Sequence, residues 1–281
     1  MKTPWLMLPV LLYSSAASAQ HAGDTFADIG WLHINTLDKS VPLATDLTPS
    51  TGLKLLGINT SFTSPGTSAS LNNINTVAIA TTHFFTDHVA VKLDGGIPTV
   101  FHITGAGIVT PTSSNSLVEN SGLLPKIDLG EAANNPLAKA RQWTPAVIVQ
   151  YSFRDATARL RPYLGLGAAY TWFTDISVND HFQAELNQNF GTVLALAAGK
   201  YSQGPTHVEA TASRAWSAVF NGGFTYALTP RWGIVASMSY LPLHATAHIK
   251  ILAADGTLLS DSRAGIELNP LVTALLLSYR F

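Results

Sequence analysis

The sequence predicts an all-β fold: an eight-stranded antiparallel transmembrane β-barrel with short periplasmic turns and long extracellular loops. Three observations predict it. Charged residues make up 12% of the chain and hydrophobic ones 47%, with a mean hydropathy of +0.21, whereas ordinary soluble domains carry about 25% charged residues. That balance demands an apolar solvent on one face. Beyond the N-terminal segment no run reaches the roughly 18 apolar residues of a spanning helix, and a closed barrel is the other way to satisfy every backbone group in lipid. Eight segments show period-2 alternation with short and long connections in turn, which is the barrel pattern.

Lys2, the apolar run from Trp5 to Tyr13 and the small residues Ser15-Ala16-Ala17-Ser18-Ala19 read as a secretory signal. The A-x-A pattern at Ala17 and Ala19 places cleavage before Gln20. The expected organisation is therefore a cleaved signal at 1–19 and a single outer-membrane barrel domain at 20–281. Loss of Lys2 takes the 16 basic residues to 15 against 17 acidic ones, so no nucleic acid is expected as a partner. The absence of cysteine excludes disulfides and thiolate metal sites and suits export through an oxidising compartment.

The expected strands are 24–36, 71–85, 88–103, 142–154, 159–175, 212–227, 231–252 and 262–281. Thr86-Asp87, Asp155 to Ala158 and Thr229-Pro230 are short turns. Residues 37–70, 104–141 and 176–211 are long polar loops, and a brief one lies at Ala254-Asp255-Gly256. This alternation puts both termini in the periplasm. Within the third loop, 182–200 is rich in helix formers and is a candidate for a short capping helix.

Parity assigns the faces. In the last segment Leu271, Leu275, Leu277, Tyr279 and Phe281 share one side, which belongs in lipid. Tyr279 and Phe281 then sit in the periplasmic aromatic girdle and form a terminal signal for the barrel-assembly machinery. Val147, Val149, Tyr151 and Phe153 face out likewise, as do Leu164, Leu166, Ala168 and Tyr170, while Gly165 and Gly167 face in and make room.

The inward charges Asp28, Lys92, Asp94, Arg154, Arg161 and Arg280 all fall near periplasmic strand ends and are expected to form one ionic cluster that closes the barrel floor. Such charges must be paired, since an unpaired one costs several kcal/mol. Above them the expected lumen lining is mixed to apolar: Tyr163, Ala169, Phe173, Ser237, Ser239, Val272 and Leu276. Eight strands leave room for side chains or one small ligand, not an aqueous pore.

Other chemistry finds little support. His244 and His248 lie on one strand face, but four residues span roughly 13 Å, too far to share an ion. Gly165-x-Gly167 and Gly105-x-Gly107 lack the third glycine and the strand-to-helix context of a phosphate loop. No G-x-S-x-G elbow occurs. No metal, cofactor or catalytic residue is expected, although a lipid hydrolase with a His-Ser-acid cluster on its outer rim remains an alternative. So does a structural barrel that only displays its loops.

The run Arg161-Pro162-Tyr163-Leu164-Gly165-Leu166-Gly167-Ala168-Ala169-Tyr170 resembles the RPYxGxGxxY strand of OmpW-type outer-membrane proteins. Similar features are Pro145 through Phe153 with Asp155, the Thr86-Asp87 turn with Val91-Lys92-Leu93, Pro98, and the Leu268-Asn269-Pro270 to Tyr279-Arg280-Phe281 ending. The resemblance implies an eight-stranded barrel in the outer membrane of a Gram-negative bacterium. Its narrow hydrophobic lumen would bind or pass small hydrophobic solutes, with lateral release into the membrane. Outer-membrane lipids and lipopolysaccharide would surround it. The family usually has Asp at Asn269, an acidic residue at Lys92 and a bulky apolar one at Asp94, so the constriction here is expected to differ.

Overall fold

Alternating apolar and polar side chains let each strand bury one face and give the other to lipid, and the chain closes on that pattern. The computed structural model describes residues 20–122 and 124–281; the export signal expected at 1–19 lies outside them. The wall strands are β1 (Thr25–Asn35), β2 (Ile74–Phe84), β3 (Val89–Gly96), β4 (Ala146–Ser152), β5 (Leu160–Val178), β6 (Ala215–Ala227), β7 (Trp232–Tyr240) and β8 (Leu271–Arg280). Each pairs antiparallel with its neighbour in sequence, and β8 returns to β1 from Phe26↔Arg280 to Asn35↔Leu271, which closes the barrel.

The assigned faces are visible in burial. In β5, Arg161, Tyr163 and Ala169 are buried, while Leu164 and Leu166 are 61% and 60% exposed. Aromatic residues ring the wall at two levels. Trp232 and Tyr279 meet near the periplasmic end (4.8 Å), and Tyr170 and Trp216 meet near the other (4.7 Å). Trp216 and Tyr226 lie ten residues apart on β6, about 33 Å of strand, and a tilt near 40° reduces this to about 25 Å, the height of a lipid-facing band. Gly167 is required by the close approach of β4: a Cβ there would lie 2.1 Å from the Val147 carbonyl oxygen.

Above the membrane band the structure departs from the sequence reading. Each of the segments 88–103, 142–154, 231–252 and 262–281, expected to be continuous, breaks once, at Pro98, Pro145, Pro242 and Pro270. Proline has no N–H to give the ladder. Beyond the breaks the barrel splits into two outer sheets, built partly from the far halves of these segments and partly from stretches expected to be loops. One joins Ser68–Leu71, Thr99–Ala106, Ala138–Trp143 and the end of β5. The other joins His207–Ala212, His244–Leu252, Leu258–Glu267, Leu43–Leu47 and Ser61–Ser64.

The remaining loop residues fold into a cap with its own core. Helix α1 (Thr51–Leu55) is started by the Ser50 hydroxyl. The expected capping helix runs from Asp180 to Ala197 through one π turn, capped by Asn179. Leu53, Ile58, Phe62, Phe182, Phe190 and Leu194 pack together beneath it.

Candidate functional site

The lower end of the barrel is filled by side chains except for small cavities, one of about 20 Å³ among Asp28, Lys92, Gln150 and Tyr163. The six charges expected to face inward do not form one cluster: Arg161, Arg154 and Arg280 each take separate partners, and only Asp28, Lys92 and Asp94 stay together. Arg161 lies lowest and is buried. Its guanidinium donates to the carbonyls of Gln20 (3.2 Å), Phe153 (3.4 Å), Arg154 (3.4 Å) and Asp87, and to Gln20 Oε1 (3.0 Å), and sits 5.8 Å over the Phe84 ring. It therefore ties two periplasmic turns to the N-terminal segment. Asp87, at one of those turns, accepts the Ala22 N–H, which holds its carboxyl below the usual carboxylate range.

Arg154 is corrected: it adopts φ +65° where β4 turns away, leaves the strand alternation, stands exposed and donates to the Leu160 carbonyl. Arg280 is corrected too, pairing with Asp24 at 3.3 Å on the seam between β1 and β8. Asp28, Lys92 and Asp94 stay together higher up. Lys92, only 2% exposed, holds Asp94 at 2.9 Å, and both act electrostatically on buried Asp28.

Beside this group a belt that the sequence reading did not assign crosses the lumen. Gln150 Nε2 donates to Asn221 Oδ1 (3.0 Å), and Asn221 Nδ2 donates to Ser239 Oγ (2.8 Å). Asn221 was detectable as a polar residue at an inward position of β6. Of the expected lining, Tyr163, Leu276 and Ala169 belong to packed clusters rather than an open lumen: Tyr163 and Leu276 with Val235, and Ala169 with Ile148, Val219 and Leu241. Ser237 is half-buried on the inward side of β7.

Over the second cluster opens a cavity of about 420 Å³, to which Ser239 and Val272 contribute along with Leu32, Ile148, Trp172 and Leu241. This is within the roughly 300–1,000 Å³ of small-molecule sites. It reaches the wall where the wall is incomplete. The β3–β4 ladder ends at Asp94↔Ala146, and pairing between the continuations of these strands resumes only at Thr99↔Gln142. Gly95 to Pro98 thus faces Trp143 to Pro145 without ladder bonds, and all of these residues line the cavity.

Higher still, a smaller apolar chamber of about 110 Å³ lies between the two outer sheets, with Phe173, Phe101 and Ile249 on its walls. Leu243 lines the lower cavity, while Ile266, Leu268 and Leu71, packed with it, line the chamber. Leu129 and Leu137 of the cap core form its roof.

A closed, lipid-banded barrel with a plugged lower end and a cavity inside its upper half is the architecture of a small Gram-negative outer-membrane protein. Comparison with known proteins agrees. The OmpW family model matches residues 44–199, more than half of the chain, and the chain belongs to the OmpW family. It is 27% identical to Outer membrane protein W of Escherichia coli over 153 residues, 54% of this chain and 60% of that protein. With Outer membrane protein W of Vibrio cholerae it is 30% identical over 155 residues, 55% of each. The aligned stretch thus spans little more than half the length of these relatives. The crystal structure of OprG from Pseudomonas aeruginosa has the same fold, with a TM-score of 0.63 over 94% of this chain and 99% of that one at 18% identity.

Proposed function

We propose that this barrel takes small hydrophobic molecules into the 420 Å³ cavity and exchanges them sideways with the outer leaflet through the gap at Pro98 and Pro145. The observation that carries the reading is the cavity's position: packed side chains close the axis below it, and a stretch of wall between β3 and β4 without ladder bonds opens beside it. A solute in the cavity meets lipid across that gap, not the periplasm. The lipid-hydrolase alternative would need a serine beside a His–acid pair. His248 and Asp261 do pair at 3.0 Å, but among the described residues no serine hydroxyl is hydrogen-bonded to that imidazole.

The test is uptake into proteoliposomes by Val272→Trp and Thr273→Trp. Val272 lines the cavity and Thr273, its neighbour, has the opposite parity on β8. Filling the cavity with V272W is expected to abolish the preference for octane over glucose, while T273W keeps it. Unchanged octane uptake by a folded V272W barrel would refute the reading.

A further inference from the structure

The cavity wall is apolar apart from a few groups, and two of these are acceptors on the strands that flank the gap. Gln142 donates through Nε2 to Thr144 Oγ1 at 2.9 Å, which leaves Oε1 buried against the cavity with no hydrogen-bond partner. Asp94 lines the same cavity and gives one carboxylate oxygen to Lys92. Three of the wall hydroxyls are already engaged: Thr76 with the Ile97 carbonyl, Thr144 with Gln142 and Thr171, and Ser239 with Asn221. An entering hydrocarbon, ether or ester offers Gln142 Oε1 no proton and leaves this buried acceptor unpaired, which is unfavourable. A terminal hydroxyl supplies the missing bond. The Lys92–Asp94 pair is already neutral, so the site asks for a donor and not for a charge.

Resting on the cavity reading above, we propose that the cavity selects hydrophobic molecules that carry a hydrogen-bond donor at one end, primary alcohols being the simplest class, and that Gln142 is the residue that reads the donor. Gln142 is thus a specificity residue, and the apolar wall holds the chain.

The experiment compares two probes of equal size, octan-1-ol and 1-methoxyheptane, which differ in that only the first has a donor. Binding to the folded barrel in detergent is read from quenching of Trp143 and Trp172, both on the cavity wall. Gln142→Leu is expected to weaken octan-1-ol about tenfold, the value of one hydrogen bond to a stranded acceptor, and to leave 1-methoxyheptane within about twofold. Equal changes for both probes overturn donor selection and leave the cavity reading standing, whereas no saturable quenching by either probe in the wild type removes both. Tighter binding of the ether than the alcohol also overturns the proposal, since the amide nitrogen would then face the cavity. If Q142L does not fold, the wild-type alcohol-to-ether affinity ratio is set against partition of the two probes into protein-free micelles. A ratio above the partition ratio supports the proposal and one at or below it overturns it.

Discussion

Replacing Lys92 by Met tests whether the inner charges act as a unit. Asp28, Lys92 and Asp94 together carry a net charge of −1, with the lysine only 2% exposed and 2.9 Å from Asp94. At an effective dielectric of about 20, that separation corresponds to a gross attraction of about 6 kcal/mol. Removing the lysine recovers its desolvation penalty, so the net cost expected is about 3–5 kcal/mol, as for other broken buried pairs. Two carboxylates, the buried Asp28 and the partly exposed Asp94, then remain without a cation. Asp94→Asn, by contrast, leaves Lys92 opposite Asp28 in a neutral pair and is expected to cost about 1.5–3 kcal/mol, the net value of one hydrogen bond to a charged group. Combining the two substitutions should restore at least about 2 kcal/mol relative to their sum, a coupling expected of residues in contact. Urea unfolding in lipid vesicles, scored by the heat-dependent shift of the folded band, measures all three. If K92M is no worse than D94N, or if the two add without coupling, the charges do not act together.

Deleting Phe281 should lower assembled barrel in the outer membrane while purified protein still folds in detergent: the ring is 80% exposed and touches only the girdle through Tyr279 at 5.3 Å. Normal surface accumulation would count against an assembly role. Asn221→Leu strands Gln150 and Ser239 in the belt and should cost about 1–3 kcal/mol, read by the same unfolding assay; a neutral result would mean the belt is hydrated. In the extracellular loop, Lys200 and Thr257 hold the Asp255 carboxyl well below the usual carboxylate range. A depressed value means the contact is complete above the unfolded value of about 3.9 and is lost as pH falls through the folded one. Carboxyl NMR titration of Asp255 should therefore show a higher midpoint in Lys200→Met, and an unchanged midpoint would refute the pairing.

The wall was readable in the sequence because lipid imposes a strict alternation, and Leu164, Leu166, Leu275 and Leu277 mark their face whatever the rest of the chain does. The shortest outer strands were not readable. Ser68–Leu71 and Ser61–Ser64 are four residues each, have no lipid side, and so lack the pattern that defines the wall. The prolines were plain in the sequence, but the gap at Pro98 depends on which partner residues stand opposite, and that is a property of register. The floor cluster failed for a related reason. Parity says which way Arg161, Lys92 and Arg280 point, yet their heights depend on the stagger between strands. Arg154 was lost to a single left-handed residue that ends the alternation early.

The packed lower half has a consequence for the cell that carries the protein. A barrel with a continuous axial path adds ionic leak in proportion to its copy number, so its abundance is limited by the integrity of the envelope. Here the Arg161 lock, the Gln150–Asn221–Ser239 belt and the Ile148–Val219–Leu241 cluster stand in series across the axis. A barrel closed this way is expected to add no ionic conductance as its copy number rises, which planar-bilayer recording of the purified protein measures.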